Sequence, residues 1–84
     1  MTEKEIQILG FVKENIYEYE GEVDPDYYYV LDIVDGIAFI TQSRDQVKKG
    51  NWTVDFFNTE PIVRFDKMEK VQSLINTLTN AIVK

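Results

Sequence analysis

Cysteine and histidine are both absent from the 84 residues. Disulfides, thiolate nucleophiles and the commonest general base and transition-metal ligand are therefore excluded. The length fits one domain spanning residues 1–84, small enough to leave much apolar surface exposed. Acids outnumber bases 15 to 9 for a net charge of −6, and residues 1–35 alone hold ten acids and two bases.

No basic residue stands between Lys13 and Arg44. A polyanion is repelled by that half, so direct nucleic-acid binding is disfavoured, and Lys48-Lys49 reads as a solvated turn. The start, MTEKEIQILG, lacks the basic opening and apolar core of a signal peptide, and no apolar run reaches the roughly 18 residues a membrane span needs. The expectation is a cytoplasmic protein without membrane contact, in which Asn51-Trp52-Thr53 begins a strand and is not a glycosylation site. Nine isoleucines against two alanines is the bias of AT-rich codons and suggests a low-GC bacterium or its phage.

Thr2 and Glu5 form a capping-box pattern, and Ile6, Leu9, Val12 and Ile16 follow at helical spacing, which predicts a helix over residues 3–15. A strand competes for part of this segment, because Ile6, Ile8 and Val12 also suit alternation and Gly10 weakens a helix by about 1 kcal/mol relative to Ala.

In EYEGEVDPDYYY, residues 18–29, acids stand at every second position: Glu18, Glu20, Glu22, Asp24 and Asp26. If residues 17–23 run extended, Glu18, Glu20 and Glu22 share one face at intervals of about 6–7 Å. Such a row offers an acidic strip to a basic partner and imitates the phosphates of a nucleic-acid strand. Tyr27, Tyr28 and Tyr29 would add the flat contacts that interfaces favour. A solvated or edge strand carries the same charges for a different reason, to stay soluble and block sheet-to-sheet pairing.

Residues 27–42 carry the clearest signal, Asp35-Gly36 between two β-branched and aromatic runs, which predicts a two-residue hairpin. Counting from that turn pairs Val34 with Ile37, Asp32 with Phe39 and Val30 with Thr41. Leu31, Ile33, Ala38 and Ile40 then share one face, and Tyr28, Val30, Val34, Ile37 and Phe39 the other. Both faces are apolar, so cover is expected on both sides, from a helix on one and from a helix, a loop or a second subunit on the other.

A polar connection, residues 43–51, has room for one helical turn. WTVDFF (52–57) puts Trp52, Val54 and Phe56 on one face, and PIVRF (61–65) follows after a turn, with Pro61 at a strand start or edge, completing a second hairpin. Asp66, with Glu69 three residues on, is expected to cap a C-terminal amphipathic helix whose apolar positions are Met68, Val71, Leu74, Ile75, Leu78, Ala81 and Ile82. The fold class is α+β: an antiparallel sheet of three to four strands in two hairpins, between an N-terminal and a C-terminal helix.

Chemistry finds little support. Asp32 is the one acid whose pattern implies burial, and no second acid faces it. No glycine-rich phosphate loop is present. Asp24 and Asp26 have the spacing of a calcium loop, but Tyr29 stands where that loop needs its glycine and Asp35 where it needs its closing Glu.

The sequence therefore reads as a non-enzymatic acidic interaction protein with no cofactor, no metal site and no catalytic residue. It would bind or inhibit a protein partner with a basic surface, itself a nucleic-acid-binding surface in one version, through Glu14, Glu18, Glu20, Glu22, Asp24, Asp26, Tyr27, Tyr28 and Tyr29. The alternative is a self-assembling accessory subunit, a homodimer or larger homo-oligomer whose twice-apolar hairpin is buried between protomers.

Overall fold

The computed structural model describes residues 1–83. It shows an α+β fold: α1 (Glu3–Ile8), β1 (Val12–Ile16), β2 (Asp26–Val34), β3 (Ile37–Thr41), a 3-10 turn (Arg44–Gln46), β4 (Val54–Phe56), β5 (Arg64–Phe65) and α2 (Met68–Asn80). The sheet is an antiparallel meander in the order β1-β2-β3-β4-β5. Its five strands exceed the expected three to four because the segment after Gly10 joins it as an edge.

That segment resolves the competition between helix and strand in favour of both. The capping box forms as expected, with Glu5 N donating to Thr2 Oγ1 at 3.1 Å and Thr2 N to Glu5 Oε1 at 2.8 Å. The helix then stops after Ile8, and Gly10 at φ +97° turns the chain into β1. A left-handed residue ends a helix readily when it lacks a Cβ.

In the central hairpin Val34 opposes Ile37, as the turn dictates, but Asp32 opposes Ala38, Leu31 opposes Phe39 and Val30 opposes Ile40. Ile33 is an extra residue, a bulge that slides the register by one and exchanges the faces of β3. Phe39 therefore lies in the core at 0% exposure and Asp32 is exposed. The expected pairing of Asp32 with Phe39, the shared face of Leu31 with Ala38 and Ile40, and the implied burial of Asp32 are thus corrected.

One face of the sheet carries the core: Tyr29, Phe39 and Val54 from the strands meet Ile6 of α1 and its C-cap Leu9, Phe11, Trp52, and Val71 of α2. Thr41 is buried among them, its Oγ1 accepting from Tyr29 N at 3.0 Å and donating to the Gln42 carbonyl at 2.9 Å. α2 runs along the same side with Met68, Leu74, Ile75 and Leu78 against the core. Its N-cap is Lys67, without a side-chain cap bond, so Asp66 lies one residue too early for the capping role expected of it.

Candidate functional site

The acids from 18 to 24 do not lie on a strand. β1 ends at Ile16, β2 begins at Asp26, and residues 17–25 are a bent loop with a turn at Glu20-Gly21, where Gly21 has φ +84°. The extended row, and with it the phosphate-like spacing, is absent. Alternation in the sequence was its only basis, and the turn at Gly21 overrides alternation.

The loop instead divides its acids by task. Glu22 Oε2 accepts from Glu18 N at 2.9 Å and closes the turn from within. Asp24 meets Arg44 at 3.2 Å, tying the loop to the 3-10 turn. Asp26 Oδ1 accepts from its neighbour Tyr27 N at 2.8 Å and from Asp45 N at 3.2 Å. Slight desolvation pulls the Asp26 carboxyl up, but those backbone donors outweigh it and hold the group below its ordinary value. Glu14, Glu18 and Glu20 stay exposed on β1 and in the loop. Beside them stand Tyr17 at 60%, Tyr19 at 63% and Val23 at 96% exposure, which are apolar contacts that inspection of the acids alone passes over.

The three consecutive tyrosines separate by strand alternation. Tyr27 and Tyr29 face the core side, and both hydroxyls donate to Glu3 Oε2, at 2.6 and 2.7 Å, while Gln7 Nε2 donates to the Tyr29 hydroxyl at 3.0 Å. Burial and the bond to the Glu3 carboxylate push the Tyr27 phenol up to about 12, and the same two causes raise Tyr29. Burial alone would raise Glu3, but the two phenol donors, with Lys13 and Arg44 near, hold it below its ordinary value. The Tyr27 ring stacks on Trp52 with centroids 6.2 Å apart, and Lys13 Nζ sits 4.0 Å from its centre. Tyr27 and Tyr29 are thus committed to the chain's own packing, and no local pattern could have announced Glu3, which lies 24 and 26 residues away.

Tyr28 points the other way, onto the outer face. There β1, β2 and β3 align Val12 with Val30 and Ile40, Glu14 with Tyr28, Ile16 with Asp26, and Asp32 with Ala38. None of these apolar residues packs against the core. Farther across, Asp55 of β4 holds Arg64 of β5 through bonds of 2.7 and 3.0 Å. A shallow concavity is lined by Ile16, Tyr28, Ile40, Thr41, Ser43 and Gln46.

Among the described residues no group of three or more Asp and Glu is placed to hold a metal ion, and no helix is long and apolar enough to cross a membrane. No family, curated protein or solved structure matches this chain.

Of the nine residues expected to meet a partner, the structure brings Glu14, Asp26 and Tyr28 together on the outer face, where Glu14 stands opposite Tyr28. Glu18, Glu20, Glu22 and Asp24 lie in the adjoining loop. Tyr27 and Tyr29 turn away from both.

Proposed function

We propose that this chain is a non-enzymatic interaction protein that binds a protein partner with a basic surface through the acidic end of its sheet, comprising β1, the 17–25 loop and the outer face of β2. The observation that carries it is charge segregation. Residues 12–35 contain eight acids and one base, and that base, Lys13, lies over the Tyr27 ring on the covered side. Arg44 reaches in to pair with Asp24, but keeping so many other carboxylates together imposes self-repulsion that a merely soluble surface avoids by mixing signs.

Exposed Tyr17 and Tyr19 add amphipathic contact area among these acids, the combination protein interfaces favour. A nucleic acid would meet the same field with the wrong sign. The imitation of a nucleic-acid strand loses its footing with the extended row and is set aside.

Capture from a lysate with the chain as bait, eluted by rising salt, tests the proposal. A basic protein should release as the Debye length shortens from about 10 Å toward 3 Å, and the Glu18→Gln, Glu20→Gln double variant should retain less of it. Capture indifferent to both salt and these substitutions would overturn the acidic site.

A further inference from the structure

The two faces of the sheet end differently: α1 and α2 seal one, and among the described residues neither helix covers the other. On that open face Val12, Val30 and Ile40 stand abreast on three adjacent strands. Val12 is 59% exposed and Ile16, at the far end of β1 beyond Glu14, 40%. Strands about 4.8 Å apart set the first and last of these residues about 10 Å apart, so a helix lying along the strands, about that diameter with its side chains, would span the row.

Charge selects the occupant. The stripe is flanked along the strands by Glu14 of β1 on one side and Asp32 of β2 on the other. Of the cations toward this face, Arg64 is held by Asp55 and Lys48 lies past β3, where it lines a separate concavity with Gln42 and Arg64, while Lys13 lies on the opposite side. A second copy would set carboxylates against carboxylates, and like charges facing across an interface suppress pairing.

We propose that the open face docks a cationic amphipathic helix of a protein partner, its apolar stripe on Val12, Val30 and Ile40 and its lysines or arginines against Glu14 and Asp32. This rests on the reading that the partner is basic and adds where it sits and what shape it presents. An apolar centre with a charged rim is the ordinary anatomy of an interface, and a helix laid in an apolar groove is a recurring mode of recognition.

The test titrates the full-length, 15N-labelled chain with a synthetic helical peptide of leucine and lysine in amphipathic order, and with a peptide of the same composition in scrambled order. The amphipathic peptide should shift the amides of Val12, Val30, Asp32 and Ile40. The scrambled peptide, and the amphipathic one on the Val12→Lys variant, should bind about tenfold more weakly, a difference of about 1.4 kcal/mol. Val12 is exposed on an edge strand, so that variant keeps the fold. Equal binding of both peptides, or shifts confined to residues 17–25, would overturn the helix site and leave the acidic reading standing. Absence of any shift would overturn both. A dimer in sedimentation that Val12→Lys dissolves would make a second copy the occupant and overturn the proposal.

Discussion

The two faces of this sheet are built from neighbouring residues of the same strands and have opposite fates. Tyr29 is 2% exposed and Phe39 0%, while their immediate neighbours Val30 and Ile40 stand on the open face with no helix over them. Hydrophobicity does not separate them, since valine and isoleucine are as apolar as tyrosine and phenylalanine. What separates them is which side the two helices cover. A buried apolar residue beside an open one teaches that apolar patterning marks a surface to be covered without naming the cover.

Substitutions sharpen this contrast. The largest effect is expected at Phe39→Ala, which empties the centre of the core and should destabilise the fold by about 3–5 kcal/mol in chemical denaturation. Val12→Ala on the open face should fall within about 0.5 kcal/mol of the parent. A large loss at Val12 would mean the outer face is packed in the native protein.

Glu3→Ala comes next, because it strands two phenol donors that lie under α1. Those bonds go to a charged acceptor at the half-buried edge of the core, so a loss of about 1–2 kcal/mol is expected. If Tyr27→Phe and Glu3→Ala prove strictly additive, the two side chains are not coupled as the 2.6 Å contact requires.

A smaller effect appears in alkali. The Tyr27 phenol ionises near 10 when unfolded and near 12 in the fold, so the folded state keeps a proton that the unfolded chain releases. Its contribution to stability is complete below pH 10 and is lost as pH rises through 12. Melting temperatures measured across that window should fall less steeply for Tyr27→Phe than for the parent.

The smallest effect on stability belongs to Glu18→Gln with Glu20→Gln, expected within about 0.5 kcal/mol and of neutral or stabilising sign, because relieving like charges in an exposed loop removes repulsion and no internal bond. Clear destabilisation would assign these acids to the fold and remove them from the binding surface.

Much of the architecture was legible along the chain because its signals are local. The capping box of Thr2 and Glu5 closes within one helical turn, Asp35-Gly36 sets a two-residue turn between strand-forming runs, and the period from Met68 to Leu78 turns one helix face toward the core. The candidate site was legible only in its charge. Which residues are acidic is written in the sequence, but their arrangement is not. Gly21 bends the row into a loop, the bulge at Ile33 reverses the pairing of Phe39 and Asp32, and Glu3 draws Tyr27 and Tyr29 away from the surface where they were expected.

By itself the sequence determined the α+β class, the ends of the central hairpin, the amphipathic C-terminal helix and the concentration of negative charge before Asp35, because each depends on residues a few positions apart or on composition. Only the tertiary structure decided that β1 joins the sheet as a fifth strand, that both helices cover the same side, and that Val12, Val30 and Ile40 are left open together. Those outcomes depend on contacts between residues far apart in the chain, where packing on one face selects among strand registers and helix positions that local preference leaves nearly equal.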